Sequence, residues 1–306
     1  MLDSTVLALF GPTASGKTAV AEAISERISV EVISADAMQV YRGVPVLTAQ
    51  PSRPTALVGI WDLDQETSVA EYQRLAHAAV DDALATGRTP VVAGGTGLYL
   101  RAALADLQLP PPPRAGERER WERLYDRAGP ERAHAFLAGR DPRAEQRIHP
   151  NDRRRVVRAL ELAEAGSSLA PGRDVLWSEE LRHPTLIVGL QVAHDELFRR
   201  IAERTRSMFA DGVVEEVQAA LAKPLSHTAQ QIIGLREIAD LPPQAASEAM
   251  IIRTRRYAAY QRKWMRRIPG LASVAADRPP VEIADEILEM ARSRERLPAH
   301  RGAAGG

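Results

Sequence analysis

A glycine-rich segment near the N-terminus constrains the fold of this 306-residue chain more than any other feature. It follows an apolar run at residues 5–10 that is typical of a buried strand. It precedes a segment through Arg27 that has the apolar periodicity of a helix. This strand–loop–helix context is the one in which a P-loop is expected. The residues of the loop are Gly11, Pro12, Thr13, Ala14, Ser15, Gly16, Lys17 and Thr18.

The loop predicts a binding site for a diphosphate or triphosphate. Its glycines let the backbone curl so that N–H groups face an anion, and the helix that follows contributes its positive end. Lys17 is placed to bind the terminal phosphates, and the Thr18 hydroxyl is placed to reach Mg²⁺. An ordinary glycine-rich turn is the alternative, which the surrounding strand and helix disfavour. The loop alone leaves open which phosphate compound binds.

Strands and helices alternate through the first third of the chain. Residues 30–34 and 90–93 are short apolar runs typical of buried strands, and residues 68–86 have the helical period. This alternation predicts an α/β fold with a P-loop NTPase-like parallel sheet flanked by helices.

A run of prolines at residues 110–113 interrupts this alternation, because prolines in series continue neither a helix nor a strand. The residues that follow are charged and helical in pattern, and another apolar strand then returns the chain to the sheet. We therefore predict a helical insertion domain at residues 113–183, within a core domain formed by residues 1–112 and 184–292. Residues 293–306 are predicted to be a disordered tail.

Two further residues are expected near the phosphate loop. Asp36 follows the second strand, and ligands of parallel sheets bind beyond the carboxyl ends of the strands. Asp36 is therefore expected to face the same crevice as Lys17, where it could bind Mg²⁺ or act as a general base. An Asx turn or a helix N-cap is the structural alternative. Thr96 offers a hydroxyl in a Gly-Gly-Thr-Gly turn, which also suits close packing of a helix on the sheet.

An ordinary P-loop NTPase would be expected to place a metal-binding aspartate at the end of an apolar strand. The strand at residues 90–93 ends in glycines instead, although Asp62 or Asp64 could replace the missing acid. This pattern weighs against ATP hydrolysis.

The composition limits the other chemistries. The chain has no cysteine, which excludes disulfides, thiolate metal sites and a cysteine nucleophile. No apolar run reaches the roughly 18 residues that a membrane helix needs, and the N-terminus lacks the basic region of a signal peptide. A cytoplasmic protein is therefore expected.

The formal net charge is +0, but the basic residues are unevenly distributed. Residues 251–269 carry many arginines and no acid, and residues 153–158 form a second cluster. Clustered basic residues are the footprint of binding to nucleic-acid phosphates. Solvated helix faces are the alternative.

Several segments together resemble the tRNA dimethylallyltransferase (tRNA isopentenyltransferase) family. The phosphate loop matches the family's GPTASGKT, and residues 94–100 match its GGTGLYL. Residues 34–43 resemble its Asp-Ser-x-Gln-x-Tyr motif. The later segments that resemble family motifs are residues 150–161, 226–238 and 254–266, so that the resemblance extends over about residues 5–270.

The resemblance implies transfer of a dimethylallyl group from dimethylallyl diphosphate to the exocyclic amine of the adenosine 3′ of the anticodon in tRNA, with release of diphosphate. It implies Mg²⁺ as the cofactor and the tRNA anticodon stem-loop as the partner, and we expect a monomer that needs no membrane. Lys17, Asp36 and Thr96 would be catalytic. Thr18 would hold Mg²⁺, with Asp36 as a possible second ligand.

The resemblance also implies which residues bind tRNA. In the insertion they are Arg118, Arg154, Arg155, Val156, Val157 and Arg158. In the core they are Asp36, Ala37, Met38, Gln39, Thr96, Gln231, Ile232, Ile233, Gly234, Leu235, Arg236, Arg256 and Lys263.

Two other functions stay open from the sequence, a P-loop ATP-dependent small-molecule kinase and a catalytically weakened P-loop RNA-binding protein. The many arginines and the GGTGLY turn disfavour the kinase. The chain departs from the family pattern at Ala37, where serine is usual, and at Gln50, where lysine is usual. Ala259 and Tyr260 replace a Lys–Arg pair. These departures bear on substrate binding and rate.

Overall fold

The computed structural model describes residues 5–110, 116–170 and 175–296, which form two compact units. The first, called the core unit here, comprises the described residues up to 106 and those from 176 onward. The second, the insertion unit, comprises residues 107–175. Each unit has its own apolar cluster.

In the described part of the core unit, the strands are β1 (Val6–Phe10), β2 (Val30–Ser34), β3 (Thr89–Gly94), β4 (Thr185–Gln191) and β5 (Ala272–Ala275). They form one parallel sheet in the order β2-β3-β1-β4-β5. Every residue of β1 is buried, because a central parallel strand is covered on both faces. The predicted α/β fold with a parallel sheet is confirmed.

Helices connect the first strands. α1 (Lys17–Ser25) follows β1, α2 (Val69–Ala85) precedes β3, and α3 (Gly97–Leu104) follows β3. The Ser68 hydroxyl caps α2 by accepting the backbone N–H of Glu71. α2 and α3 pack together, and the ring centroids of Tyr72 and Tyr99 lie 4.2 Å apart. These helices fix where the chain leaves and re-enters the sheet.

The insertion unit is helical, as its periodicity predicts. Aspartates cap two of its helices, since Asp141 accepts the N–H of Ala144 and Asp152 accepts that of Arg155. A separate apolar cluster that includes Trp121 holds the helices together. They are α4 (Glu117–Ala128), α5 (Pro130–Ala138), α6 (Pro142–Arg147) and α7 (Arg153–Glu164).

The chain after β4 is helical apart from β5. The breaks between its helices fall near Gly212, Pro224, Gly234 and Pro242. Gly212, for example, takes a left-handed conformation (φ 87°) just before a helix. The helices are α8 (His194–Ala210), α9 (Val213–Leu221), α10 (Leu235–Asp240), α11 (Pro243–Met265) and α12 (Pro280–Arg296).

The prediction of a disordered tail from residue 293 was wrong for its first residues, because α12 continues to Arg296. Ile283 and Ile287 anchor this helix in the apolar cluster of the core unit, and its last turn extends from that packed stretch. The rest of the tail, residues 297–306, lies outside the described residues.

The boundaries of the insertion differ from the predicted 113–183. Residues 176–183 belong to the core unit, where the backbone N–H of Arg182 donates to Leu104 O over 2.9 Å. Asp81 accepts from both the Arg182 guanidinium and His183, each over 2.8 Å. Such long-range polar contacts leave no periodic pattern in the sequence. The predicted proline linker at 111–113 lies outside the described residues.

None of the helices in the described ranges is both long enough and apolar enough to cross a membrane.

Candidate active site

The P-loop curls tightly between β1 and α1. Gly16 has φ 89°, in the left-handed region that favours glycine, immediately before α1 begins. A Cβ at Gly11 would lie 2.6 Å from Ser15 Oγ, so a larger residue there would displace the Ser15 hydroxyl. The backbone N–H of Ser15 donates to Pro12 O over 3.2 Å. This turn leaves the first amides of α1 to face an anion.

Lys17 lies in this loop with its amine turned toward the loop's own carbonyls. Its Nζ donates to Gly11 O and Pro12 O, each over 2.9 Å. Burial lowers the pKa of Lys17 to about 8; the negative charge of Asp36 opposes this shift, and the positive charge of Arg204 adds to it. The Lys17 amine is therefore mostly charged at pH 7 and loses its proton as the pH rises through about 8.

A cavity of about 540 Å³ lies at the carboxyl ends of β1, β2 and β3. The P-loop from Thr13 to Thr18 lines it, together with Asp36 after β2 and Gly94 at the end of β3. Tyr257 of α11 also contributes to the wall. The cavity brings Lys17, Thr18 and Asp36 to one place, while the roles assigned to them stay predictions.

Asp36 is half-buried and makes an Asx turn, in which its Oδ1 accepts the backbone N–H of Met38 over 3.0 Å. The structural alternative considered for this residue is therefore present. It does not remove the carboxylate from the cavity, which Asp36 also lines. The carboxylate thus both shapes its own loop and presents negative charge to the cavity.

Thr96 connects the loop after β3 to the loop that carries Asp36. Its Oγ1 accepts the backbone N–H of Ala37 over 3.1 Å and lies 3.3 Å from the Tyr257 hydroxyl. The Thr96 backbone N–H also donates to Ala35 O over 3.3 Å. Thr96 is not among the residues that line the cavity. Its contacts are those of a group that positions Asp36.

Two of the cavity residues that the sequence did not single out bear on its charge and hydrogen bonding, Arg204 and Tyr257. Arg204 of α8 is one of them, and its guanidinium donates to the Thr13 hydroxyl. Burial lowers the pKa of Arg204, while the charge of Asp36 raises it, so the guanidinium stays a cation. Tyr257 is the other; burial, followed by the charge of Asp36, raises its pKa and keeps its hydroxyl neutral.

Gln261 of α11 is a third residue that the sequence did not reveal. Its side-chain Oε1 accepts the backbone N–H of Thr13 over 2.8 Å, and its Nε2 donates to Gly95 O over 2.9 Å. A glutamine within an arginine-rich helix carries no signal that it contacts a loop 248 residues away.

The donor set of the cavity suits Mg²⁺ that is bound together with a diphosphate. The described residues hold no group of three or more His, Cys, Asp or Glu side chains that could bind a metal ion alone. The Thr18 hydroxyl and the Asp36 carboxylate both line the cavity. Mg²⁺ commonly takes one or two protein ligands and completes its shell with phosphate oxygens and water. Asp62 and Asp64, considered as alternative ligands, do not line this cavity.

Ser15 is consistent with an anion at this place. Its side chain is 1% exposed and lines the cavity, yet its Oγ has no hydrogen-bond partner among the described residues. Buried polar groups without partners are uncommon in folded proteins. A phosphate oxygen in the loop would satisfy this hydroxyl.

Part of the segment predicted to bind tRNA lines the cavity. Met38, Gln39 and Ile233 are in the wall. Gln39 is held by its amide, because Nε2 donates to Ala49 O over 2.9 Å and Oε1 accepts from Ser34 Oγ over 3.0 Å. Ala37 is half-buried beside it.

The prediction was wrong for two side chains of the segment 231–236. Ile232 and Leu235 are 2% and 1% exposed, so they pack in the core unit and cannot contact RNA through their side chains. Gly234 has φ 105°, and a Cβ there would lie 2.4 Å from Leu47 Cδ1, which makes this glycine a packing requirement. Gln231 and Arg236 are exposed.

The exposed face of α11 carries cations without acidic partners. Arg256 and Lys263 are exposed and have no ion pair or side-chain hydrogen bond within the described residues. Tyr260 lies between them on the helix and is 53% exposed, with its ring edge toward Trp264. This face is free to bind a polyanion.

The arginines of the insertion unit behave differently from one another. Arg154 is exposed and has no ion pair within the described part of the chain, and Arg155 is exposed beside Asp152. Arg118 and Arg158 instead bind Glu161 over 3.0 and 2.9 Å. Glu161 is only 1% exposed, so these two arginines neutralise a buried carboxylate.

Val156 and Val157 also belong to the interior of the insertion unit. They are 0% and 3% exposed and are part of its apolar cluster. Their side chains hold α7 in place and are not available to tRNA, which corrects the prediction that Val156 and Val157 contact it.

Family models match almost the whole described chain. A model described as IPP transferase matches residues 39–268, and one described as isopentenyl transferase matches residues 4–57. A tRNA dimethylallyltransferase from Salinispora arenicola is 40% identical over 88% of this chain and 81% of its own length. One from Streptomyces coelicolor is 38% identical over 89% of this chain and 92% of its own length.

Solved structures agree with these relatives. A tRNA isopentenylpyrophosphate transferase from Bacillus halodurans is 29% identical, with a TM-score of 0.67 over 96% of this chain and 100% of the other. A eukaryotic dimethylallyltransferase acting on tRNA has a TM-score of 0.76 over 97% of this chain and 82% of its own, and at 22% identity it shows the shared fold alone. This chain belongs to the IPP transferase family.

Proposed function

We propose that this chain transfers a dimethylallyl group from dimethylallyl diphosphate to the exocyclic amine of the adenosine 3′ of the anticodon in tRNA and releases diphosphate. Membership of the IPP transferase family supports the reaction class. The observation that carries the proposal is the cavity in which the P-loop, Lys17 and Arg204 lie with Asp36. A cation-lined phosphate loop beside a carboxylate suits departure of a diphosphate and removal of a proton.

The departing diphosphate is the group that the loop stabilises. As the C–O bond to the allylic carbon breaks, negative charge grows on the diphosphate oxygens. In this proposal the amides of the loop, the Lys17 amine and the Arg204 guanidinium bind that charge, and donors fixed in this way lower a barrier. Mg²⁺ held by the Thr18 hydroxyl would add positive charge to the same oxygens.

The adenine amine is the nucleophile, and it is a weak one because its lone pair is delocalised into the ring. Its nitrogen forms the new bond to the allylic carbon and then loses a proton. The Asp36 carboxylate accepts this proton, a role that typically contributes about 10²–10⁴-fold to the rate. Thr96 positions the loop of Asp36 through Ala37. The base must leave its stack to enter the cavity, as other base-modifying enzymes require.

The departures from the family pattern leave these groups intact. Gln50, which stands where lysine is usual, donates from its Nε2 to Tyr41 O over 2.7 Å and thereby supports the segment that carries Gln39. Ala37 contributes its backbone N–H to Thr96, a bond that does not depend on its side chain. Catalytic competence is therefore expected.

The function is tested by incubating the protein with dimethylallyl diphosphate, Mg²⁺ and unmodified tRNA and then analysing the nucleosides. We expect prenylated adenosine, and no ATP turnover in a parallel reaction. ATP-dependent phosphorylation would instead favour the kinase, and tRNA binding without any transfer would favour a weakened RNA-binding protein.

The anticodon stem-loop is the proposed partner, bound by a monomer in the cytoplasm, where tRNA is modified. We propose that the exposed cations Arg256 and Lys263 of the core and Arg154 and Arg155 of the insertion unit bind its phosphates. Phosphate contacts of this kind hold the RNA, while contacts to bases give specificity.

Salt dependence of tRNA binding is predicted to separate Arg256, Lys263 and Arg154, which have no ion pair within the described residues, from arginines that are already paired. Each lost phosphate contact should reduce the slope of log K against log[salt] by about 0.7–0.9. The double variant Arg256→Ala/Lys263→Ala should therefore lose about 1.4–1.8 from its slope. Arg199→Ala is a matched control, because Arg199 already binds Glu196 and Glu203.

The insertion unit offers the same comparison within one helix. Arg154→Ala should flatten the salt slope, whereas Arg158→Ala should mainly lower the melting temperature by weakening the neutralisation of Glu161. Equal slopes for the unmodified chain, Arg256→Ala/Lys263→Ala and Arg154→Ala would contradict the assignment of these cations to RNA.

A further inference from the structure

Gln261 is a buried glutamine, so both the oxygen and the nitrogen of its side-chain amide need hydrogen-bond partners. It is 1% exposed, in the last third of α11. Burying an amide without hydrogen bonds is unfavourable. Here Oε1 accepts the Thr13 N–H over 2.8 Å and Nε2 donates to Gly95 O over 2.9 Å. The glutamine is therefore fixed by two backbone groups.

The two backbone groups belong to loops that leave neighbouring strands. Thr13 is in the P-loop after β1, and Gly95 is in the turn after β3; these strands pair directly, with Phe10 opposite Gly94. A Cβ on Gly95 would lie 2.2 Å from Gln261 Nε2, so the contact requires glycine there. One side-chain amide thus bridges the two loops at the edge of the sheet where the cavity lies.

The P-loop end of this bridge sits among the phosphate-binding groups. The Thr13 hydroxyl accepts from Arg204 while its N–H donates to Gln261, so helices α8 and α11 both hold this residue. The carbonyls of Gly11 and Pro12, just before it, accept from the Lys17 amine. A shift of Thr13 would therefore move the surroundings of the lysine.

The other end of the bridge leads to the carboxylate. Gly95 precedes Thr96, whose Oγ1 accepts the Ala37 N–H, and Ala37 follows Asp36. The connection from Gln261 to the Asp36 loop therefore passes through two hydrogen bonds and the peptide link between Gly95 and Thr96.

We propose that Gln261 is a positioning residue that sets the separation between the diphosphate cradle and the Asp36 carboxylate. This inference rests on the proposed function, in which the cradle binds the leaving group and Asp36 takes the proton of the incoming amine. Transfer requires the leaving diphosphate and the incoming amine on either side of one carbon atom, with Asp36 within reach of that amine. A misplacement of about 1 Å can cost about 10²-fold in rate. Gln261 touches no reacting atom.

Two substitutions distinguish the hydrogen bond to Thr13 from the hydrogen bond to Gly95. Gln261→Glu keeps an oxygen for the Thr13 N–H but places a second oxygen against Gly95 O. Gln261→Met keeps the length and loses both bonds. We expect both variants to reduce the single-turnover rate at saturating substrates by about 10- to 100-fold. Gln261→Glu should bind inorganic diphosphate within about threefold of the unmodified chain, because the loop that binds it is still held.

A buried residue of the same helix controls for loss of stability. Met265, 9% exposed and one turn later, contacts neither loop through a hydrogen bond. Met265→Ala should lower the melting temperature while leaving the single-turnover rate unchanged well below that temperature. Gly95→Ala should disrupt the same contact, because its Cβ would clash with Gln261 Nε2, and it should reproduce the rate loss. This variant keeps the test decisive if a Gln261 variant does not fold.

The chain without substitutions is measured in the same assay, so that failure of the proposed function can be told apart from failure of the positioning role of Gln261. Absence of transfer by the unmodified chain would overturn the proposed function together with this role. Normal transfer by the unmodified chain, with folded Gln261 variants within about threefold of its rate, would overturn the positioning role alone. A rate loss that tracks melting temperature in the same way for Gln261→Met and Met265→Ala would also overturn it.

Discussion

Replacing Lys17 with alanine is expected to reduce prenyl transfer by at least about 10²–10³-fold, the cost of removing one well-placed donor to developing negative charge. The fold should persist, because within the described residues the lysine amine bonds only to carbonyls of its own loop, Gly11 O and Pro12 O. Affinity for dimethylallyl diphosphate should fall sharply. Transfer rate, diphosphate affinity and melting temperature measured on one preparation check this expectation.

The matched control is Lys223→Ala, which removes an exposed lysine that does not line the cavity. It should leave both transfer and diphosphate affinity unchanged. Near-normal activity of the Lys17 variant would show that the P-loop does not bind the donor substrate.

Lys17 also predicts how diphosphate binding depends on pH. Its pKa is lowered to about 8 in the ligand-free protein, chiefly by burial, so the amine is charged at pH 7 and loses its proton as the pH rises through 8. A diphosphate favours the charged amine, so binding should raise this pKa and take up a proton. Affinity should therefore decrease above about pH 8, by up to tenfold per pH unit. Lys17→Ala should bind weakly with no such decrease.

Much of the fold follows from local patterns in the sequence. The P-loop is specified by adjacent residues, and β1 is recognisable because a central parallel strand is apolar throughout. Asp36 could be placed near Lys17 because the carboxyl ends of parallel strands share one edge of the sheet. β5 left no comparable signal, since it is a short edge strand in which only Val274 is buried.

The rest of the site depends on contacts between residues far apart in the chain. Arg204 and Gln261 both reach Thr13, yet nothing distinguishes them locally from other residues of amphipathic, arginine-rich helices. The same is true of Glu161, a buried acid that pairs with Arg118 and Arg158. A motif resemblance identifies the segment of α7 that holds Arg158 but not which of its side chains face outward.

Replacing Asp36 with asparagine is expected to leave a folded protein that binds both substrates but transfers about 10²–10⁴-fold more slowly. This substitution separates the two roles of the residue. The amide oxygen of asparagine can still accept the Met38 N–H, so the Asx turn is kept. The amide cannot accept the proton of the adenine amine, so only the chemical step should suffer.

Single-turnover transfer at saturating tRNA and dimethylallyl diphosphate measures that step apart from binding and product release. Asp64→Asn serves as the control, because Asp64 is an exposed acid that does not line the cavity, and its rate should match that of the unmodified chain. A loss under about tenfold for Asp36→Asn would assign Asp36 to the turn alone, since a base contributes at least about 10²-fold. The proton would then have to leave through another group, and the neutral Tyr257 hydroxyl in the same cavity would be poorly suited, because burial and the charge of Asp36 raise its pKa. Glu203 is the other carboxylate that lines this cavity, and it is paired with Arg199, so we expect the large loss for Asp36→Asn.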